Sequence, residues 1–168
     1  MTIVRPATPD DARTIADIQV ETWRAAYPGV MPQEVLDALD VGDRARNWAH
    51  WLTVDATAQF VAERSGAGVG FVSAGPCRHE DGAGEVYAIY VRPAAWGTGS
   101  GWALMDAAVA WLAERWREAI LWVAEENPRA RRFYERYGWV SETTRVEEVV
   151  PGAHVSEVLY RLSGLDRR

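Results

Sequence analysis

A glycine-spaced turn in the middle of the chain is the segment whose residue types most clearly indicate a chemistry. It reads GTGSG at residues 97–101, between an alternating apolar stretch at residues 85–91 and a segment with helical periodicity. A glycine turn at the start of a helix leaves several backbone N–H groups free, and the positive end of the helix dipole acts with them. Such an arrangement binds phosphate well. The turn therefore predicts a ligand that carries a diphosphate.

Two common phosphate-binding motifs fit this turn poorly. A P-loop ends in Gly-Lys-Ser/Thr so that the lysine meets the β- and γ-phosphates, whereas Trp102 follows Gly101 here. A dinucleotide fingerprint opens a βαβ unit and is followed about 20 residues on by an acid at a strand end. This turn follows three predicted strands, and Glu118 precedes the next strand. A nucleoside triphosphatase is disfavoured, and a nicotinamide-dependent oxidoreductase stays open as the weaker alternative.

Two sequence signatures resemble those of the GNAT N-acetyltransferase superfamily. The first is Val-x-Pro at a strand end, then Arg/Gln-x-x-Gly-x-Gly/Ala and a leucine-bearing helix, and here it comprises Val91, Arg92, Pro93, Trp96, Gly97, Gly99, Gly101 and Leu104. The second is Asn-x-x-Ala-x-x-Phe-Tyr-x-x-x-Gly-Phe/Trp, and here it comprises Asn127, Ala130, Phe133, Tyr134, Gly138 and Trp139. Both occur in the family's order. One departure is Trp96, where the family has arginine or glutamine.

The resemblance implies acetyl-CoA (coenzyme A) as acyl donor and no metal ion. In the family, the amides of the glycine turn hold the diphosphate, and the pantetheine arm lies between two splayed strands, here those of Glu85 and Ile120. Main-chain groups of Ile89 and Val91 would pair with this arm, and the Ile89 amide would polarise the thioester carbonyl. One of Arg129, Arg131 and Arg132 would meet the adenosine 3′-phosphate. The cofactor-binding residues implied are Ile89, Val91, Trp96, Gly97, Thr98, Gly99, Ser100, Gly101, Trp102, Asn127, Arg129, Arg132 and Phe133.

The same resemblance implies two catalytic residues. Glu85 would deprotonate the acceptor amine, directly or through water, because an ammonium has no lone pair with which to attack a thioester. Tyr134 would protonate the departing thiolate. The simpler alternatives are a solvated strand-end carboxylate for Glu85 and a core aromatic for Tyr134. Glu21, Glu80 and Asp81 are the alternative bases or ammonium-binding acids.

The acceptor side is less clear from the sequence. In the family, the first helix with the segment after it and the turn between the last two strands line the acceptor pocket, which indicates Trp23, Tyr27, Met31 and His154 as substrate-binding residues. These side chains can equally pack beneath a bend between helices. The histidines show no pairing with Cys77 or with a serine motif, so nucleophilic catalysis has no support.

The activity expected is transfer of the acetyl group of acetyl-CoA to a primary amine of a small molecule or peptide, by direct attack in a ternary complex. Two other functions stay open. A non-catalytic acyl-CoA-binding or sensing module would keep the glycine turn without needing Glu85 and Tyr134. An enzyme that acetylates protein N-termini or lysines would need an open acidic groove rather than an aromatic pocket.

Composition narrows the range of partners. The 168 residues carry a net charge of −6, which argues against a general affinity for nucleic acid or anionic membranes. A single cysteine excludes an internal disulfide, and no apolar run approaches the ~20 residues of a membrane helix. We therefore expect one N-acetyltransferase domain over residues 1–168, cytoplasmic because no signal region is evident, with a homodimer left open.

The elements that must position these residues follow in a strand–helix order. A strand, two or more helices, three strands, a helix, a strand, a helix and two strands predict a mixed α/β sheet. The resemblance implies the GNAT fold, with a central mixed, largely antiparallel sheet of six to seven strands, about four flanking helices and a splay between the fourth and fifth strands. Glu85, Tyr87, Ile89 and Val91 are expected on one face of their strand unless a bulge intervenes.

Overall fold

The computed structural model describes residues 1–167 and contains seven strands. In chain order they are β1 (Ile3–Pro6), β2 (Ala58–Arg64), β3 (Ala67–Pro76), β4 (Gly84–Val91), β5 (Glu118–Ala124), β6 (Val140–Val150) and β7 (Ala153–Ser163). They form one sheet with the order β1-β2-β3-β4-β5-β7-β6. Neighbouring strands are antiparallel, except that β4 and β5 run parallel. The predicted mixed, largely antiparallel sheet is confirmed.

Within residues 1–167, five α-helices flank this sheet. They are α1 (Ala12–Ala26), α2 (Gln33–Asp37), α3 (Val41–Trp51), α4 (Ser100–Ala113) and α5 (Pro128–Tyr137). The number exceeds the expected four because the segment between α1 and β2 forms two helices, of which α2 is little more than one turn. No helix within residues 1–167 has both the length and the apolar character needed to cross a membrane.

Helices cover both faces of the sheet. On one face, Ile15 and Ile18 of α1 pack against Val61 and Phe71, with Trp48 of α3 beside them. On the other face, Leu104 and Leu112 of α4 and Tyr134 of α5 pack in a larger core with Leu121 of β5. The alternation of side chains along β2, β3 and β4 supplies apolar groups to both layers.

The parallel strands β4 and β5 separate soon after they meet. They pair only at Gly84–Ala119 and Glu85–Ile120. From there β5 follows β7 to its end, while β4 follows β3 as far as Val91. The splay predicted between the fourth and fifth strands is therefore confirmed, and it leaves one edge of β4 facing an open gap.

An extra residue in β4 changes the phase of its side chains. Ala88 lies opposite Ser73 and Val86 lies opposite Ala74, so Tyr87 is a β-bulge without a cross-strand partner of its own. The bulge moves every side chain beyond it to the face opposite to the one that simple alternation would predict.

The consequence is that Glu85 and the residues after the bulge do not share one face. Ile89 and Val91 pack against the core beneath α4, whereas Ala88 and Tyr90 pack against the core beneath α1 and α3. Glu85 lies opposite Gly75, two residues from the partner of Ala88, and so it belongs to the α1 and α3 face. The sequence predicted a shared face only if no bulge intervened. The bulge at Tyr87 does intervene, and it separates Glu85 from Ile89 and Val91.

Candidate active site

The gap between β4 and β5 is part of a cavity of about 540 Å³. It extends from the first turns of α4 and α5, past the open edge of β4, to the last turns of α1. Besides Glu85 and Tyr134, twelve of the implied cofactor and acceptor residues contribute to its wall: Ile89, Val91, Trp96, Gly97, Gly101, Asn127, Arg129, Arg132, Phe133, Trp23, Tyr27 and Met31. Residues separated by more than a hundred positions in the chain therefore meet in one cavity.

The glycine turn directs backbone amides toward one end of this cavity. Gly97 and Gly99 have φ angles of 75° and 87°, a left-handed conformation that glycine adopts without strain. The first helical bond of α4 runs from the Ala103 N–H to the Gly99 carbonyl at 3.0 Å. The N–H groups of residues 100–102 precede that bond and are the orphan donors of the helix start. They are suited to an anion.

Side chains of the turn stabilise it rather than line the cavity. The buried Ser100 hydroxyl lies 2.9 Å from Thr98 Oγ1 and 3.0 Å from Thr2 Oγ1. Thr98 Oγ1 also donates to the Ala95 carbonyl at 2.7 Å. The Trp102 ring packs against Tyr137, with centroids 4.8 Å apart. The contributions that the sequence predicts for Thr98, Gly99, Ser100 and Trp102 therefore reduce to their backbone.

Three arginines of α5 face the same end of the cavity. Arg129, Arg132 and Arg136 follow the i, i+3, i+7 spacing of one helix face, and all three contribute to the cavity wall. Arg131 points elsewhere, since its Nε donates to Tyr160 Oη at 3.0 Å. Partial burial lowers the pKa of Arg129, which indicates that an anion placed there would offset a desolvation penalty.

Trp96, the departure from the family signature, forms two contacts of its own. Its Nε1 donates to the Val91 carbonyl at 2.7 Å and ties the turn to the end of β4. The Arg129 guanidinium lies over its ring, 3.2 Å from the centroid. The indole therefore positions a cation at the end of the cavity that holds the glycine turn, although it carries no charge itself.

The open edge of β4 presents alternate N–H groups to the gap. The Arg92 N–H donates to the Val69 carbonyl of β3 at 2.8 Å. Because amides alternate between the two edges of a strand, the N–H groups of Ile89 and Val91 point away from β3, toward the gap. These are the two residues whose main chain the sequence predicts to pair with an extended ligand.

Tyr134 is buried yet contributes to the cavity wall. Its ring lies between those of Phe133 and Tyr160, at centroid distances of 5.5 and 6.0 Å. Burial raises the pKa of its phenol well above the ordinary value, so the group keeps its proton at neutral pH. Tyr134 is thus both the core aromatic of the simpler interpretation and a protonated donor at the cavity.

Glu85 is almost completely buried, with 1% of its surface exposed, and it contacts the same cavity. Its carboxylate accepts three bonds from Arg78: from Nη2 at 2.6 Å, from the backbone N–H at 3.0 Å and from Nε at 3.2 Å. The pair with Glu85 raises the pKa of Arg78, which keeps the guanidinium charged. The alternative of a solvated strand-end carboxylate is therefore wrong.

The other carboxylates considered for the base lie outside the cavity wall. Glu21 pairs with Arg92, and Glu80 pairs with Arg161 at 2.7 Å. Asp81 is exposed in the loop before β4. Glu85 is the one of these four acids that contributes to the wall within residues 1–167.

On the acceptor side the structure brings together three of the four predicted residues. Trp23 meets Tyr27 edge to face, with ring centroids 5.4 Å apart, and both also pack in a cluster with Met31. His154 does not join them. It is exposed, and its neighbour Val155 contributes to the cavity instead, because successive side chains of β7 point to opposite faces.

The wall of the cavity includes buried polar atoms that have no hydrogen-bond partner within residues 1–167, among them Thr22 Oγ1 and Trp122 Nε1. Buried polar groups are nearly always hydrogen-bonded in folded proteins, so an unpaired hydroxyl and an unpaired indole N–H indicate that a polar ligand or water enters here. A polar arm such as pantetheine, with amide and carbonyl groups, fits such a wall.

Comparison with protein families identifies the family of this chain. Residues 14–139 match the family described as "Acetyltransferase (GNAT) family". The chain belongs to the GNAT acetyltransferase family. Among curated GNAT relatives, the uncharacterised N-acetyltransferase YuaI of Bacillus subtilis is 32% identical over 141 residues, which cover 82% of this chain and 79% of YuaI.

Solved structures share the GNAT fold. PaiA N-acetyltransferase from Thermoplasma acidophilum, solved in complex with coenzyme A, superposes with a TM-score of 0.78 at 16% identity and covers 97% of this chain and 99% of its own. YncA from Salmonella typhimurium, solved with its cofactor acetyl-CoA, gives a TM-score of 0.76 at 20% identity over 100% of this chain and 96% of its own. At these identities the similarity establishes the fold.

Several residues of this GNAT site were not predicted from the sequence. Arg136 could have been predicted, since it lies on the same helix face as Arg129 and Arg132 at the i, i+3, i+7 spacing. Arg78 and Trp122 could not, because their roles follow from tertiary contacts with Glu85 and with the gap.

Proposed function

We propose that this protein transfers the acetyl group of acetyl-CoA to a primary amine by direct attack within a ternary complex. What supports the proposal most is that a single cavity joins an anion-binding end to a buried phenol and a buried carboxylate, along the open edge of β4. Membership of the GNAT family supplies the reaction class. The acceptor is the small-molecule or peptide amine considered further below.

The donor would bind along the length of the gap. The diphosphate meets the N–H groups of residues 97–102, and the arginines of α5 neutralise its charge and that of the 3′-phosphate. The pantetheine arm pairs with the Ile89 and Val91 main chain as an additional strand and reaches the unpaired donors Thr22 and Trp122. This arrangement puts the thioester near the bulge of β4.

The chemical step then follows from the groups around that point. The lone pair of the neutral amine attacks the thioester carbonyl carbon, and the Ile89 N–H stabilises the resulting oxyanion, an effect worth about 3–4 kcal/mol for such donors elsewhere. The C–S bond breaks, and Tyr134 gives its proton to the departing thiolate. The proton lost by the amine passes to Glu85, directly or through water. Proton exchange with water returns Glu85 to its carboxylate and Tyr134 to its phenol, and the products are the amide and coenzyme A.

Release of free thiol from acetyl-CoA tests the proposal. The wild-type protein should release thiol only when an amine is present, and Glu85→Gln and Tyr134→Phe should each lower kcat by about 10²–10⁴. Both variants should still bind coenzyme A in calorimetric titrations, which distinguishes a lost proton transfer from a damaged fold.

Three results of these assays would contradict parts of the proposal, and each points to a different alternative. Full activity in both variants would refute the assigned base and acid. Coenzyme A binding without thiol release for any amine would favour the acyl-CoA-sensing alternative. Binding of a nicotinamide dinucleotide in place of coenzyme A would favour the oxidoreductase.

A further inference from the structure

A second cavity, of about 370 Å³, lies on the α1 and α3 side of β4. Its wall combines α1, α3, β2, β3 and β4, and it shares Arg78, Tyr87 and Ala88 with the first cavity. The two cavities therefore share part of their walls at the bulge, beside the Arg78–Glu85 pair. This position makes the second cavity an approach to the reaction centre from the side opposite to the open edge of β4.

The charge of this second cavity is unusual for an acidic protein. Its wall contains two arginines and, within residues 1–167, no aspartate or glutamate. The charge of Arg78 is balanced by Glu85. The guanidinium of Arg44 lies 5.4 Å from the ring centroid of Trp23 and has no carboxylate partner in the described part of the chain. Arg44 is the cation of this wall whose charge is left uncompensated.

Aromatic rings make up much of the remaining wall. Trp48, Trp51 and Tyr87 contribute to it. The indole N–H of Trp48 is already bonded to Gln19 at 2.9 Å, so this residue offers the cavity its apolar ring. Flat apolar walls around one cation suit a ligand with an apolar body and an anionic group.

We propose that this second cavity, rather than the cluster of Trp23, Tyr27 and Met31 in the first, binds the acceptor, and that the acceptor is an amine bearing a carboxylate, such as an amino acid or a short peptide with a free C-terminus. The inference depends on the acetyltransferase activity proposed above. The amine would point toward Glu85, the apolar body would lie between Trp48 and Tyr87, and the carboxylate would meet Arg44. Polyamines are unfavourable acceptors because their extra ammonium groups would need carboxylates that this wall lacks.

Matched acceptors test the proposal in the thiol-release assay. We would compare phenylalanine and glycyl-phenylalanine with phenylalaninamide and glycyl-phenylalaninamide, and add spermidine. At least one acid should exceed its own amide at least tenfold in kcat/KM, equivalent to about 1.4 kcal/mol. Spermidine should be the poorest acceptor.

Two variants on the same helix separate recognition from general damage. Arg44→Gln should raise KM for the preferred acid by the same factor, leave its kcat nearly unchanged and leave the amide unaffected. Arg46→Gln is the control, since Arg46 is exposed, pairs with Asp43 and is absent from the cavity wall. It should leave both acceptors unchanged.

The proposal is overturned if acids and amides react equally well, or if Arg44→Gln affects an acid and its amide alike. A protein that binds coenzyme A but acetylates no amine would instead contradict the proposed function. In that case, calorimetric titration of each acid and amide into the coenzyme A complex still decides the inference, because tighter binding of the acids, lost in Arg44→Gln, supports it and equal binding refutes it.

Discussion

Removing the Arg78 side chain measures how far the buried carboxylate of Glu85 depends on its ion pair. Two of its three hydrogen bonds come from the guanidinium, at 2.6 and 3.2 Å, and the third comes from the Arg78 backbone N–H at 3.0 Å. In Arg78→Met the two side-chain bonds disappear and the backbone bond remains. The folded protein should lose stability, because a carboxylate that is 1% exposed keeps a single donor.

The size of the loss follows from the exposure of the two partners. Breaking a buried ion pair by removing one partner destabilises a protein by about 3–5 kcal/mol. The Arg78 side chain is 57% exposed, so water already screens the pair from the guanidinium side. We therefore expect the free energy of unfolding to fall by about 2 kcal/mol, half of the buried-pair value. For a chain of this length this corresponds to a decrease in Tm of about 4–8 °C.

Urea unfolding monitored by circular dichroism would measure this difference. The matched control is Arg13→Met, since Arg13 pairs with Asp17 at 3.8 Å on the surface, where such pairs contribute at most about 0.5 kcal/mol. A double-mutant cycle of Arg78→Met with Glu85→Gln should give a coupling energy of at least about 1 kcal/mol. A loss in Arg78→Met no larger than in Arg13→Met, or a coupling energy near zero, would refute the reasoning.

Two other substitutions address the turn and the N-terminal helix. Trp96→Phe removes the indole N–H that bonds the Val91 carbonyl and keeps a ring beneath Arg129, so urea unfolding should show a loss of about 1 kcal/mol, and an unchanged stability would contradict that role. The hydrogen bond from Arg5 holds the pKa of Asp11 below its ordinary value of 3.8. The ionised Asp11 carboxylate therefore contributes its full stabilisation of the folded state above about pH 4, and this contribution is lost as the pH falls through the folded-state pKa of Asp11. The difference in unfolding free energy between wild type and Asp11→Asn should be largest at pH 7 and shrink toward pH 2, and a difference independent of pH would show that ionisation of Asp11 contributes nothing.

Local sequence signals predicted several of the turns and helix starts, including those at the candidate site. Glycines at residues 97 and 99 needed a left-handed backbone, and Asn127 followed by proline indicated a helix start, where its Oδ1 now accepts the Ala130 N–H at 3.2 Å. The glycine-containing segment at Ser65 and Gly66 likewise predicted a hairpin turn, and both residues adopt positive φ angles in the structure. Such features depend on a few neighbouring residues, so a single sequence suffices to find them.

Features that depend on distant residues could not be predicted in this way. The bulge at Tyr87 arises from the pairing of β4 with β3, and nothing in residues 85–91 marks the position of the extra residue. The partner of Glu85 depends on the path of the loop before β4, which carries Arg78 back to the strand. Arg44 is brought to the wall of the second cavity by the packing of α3 on α1.

His154 illustrates an error of a different kind. The buried residues Ala153 and Val155 on either side of it indicate that its side chain points outward, because a strand alternates its faces. Placing the residue by its proximity to a turn ignored that alternation, which was present in the sequence.

The bulge at Tyr87 also has a consequence for how this enzyme can change its substrate. In the arrangement proposed above, donor and acceptor approach β4 from different sides, and the donor side relies mainly on backbone amides and on α4 and α5. The proposed acceptor wall takes Gln19 from α1 and Arg44, Trp48 and Trp51 from α3, all within residues 12–51. Substitutions that share no partners have nearly additive effects. A lineage could therefore exchange one amine for another through a few changes in those two helices while its use of the acyl donor stays the same.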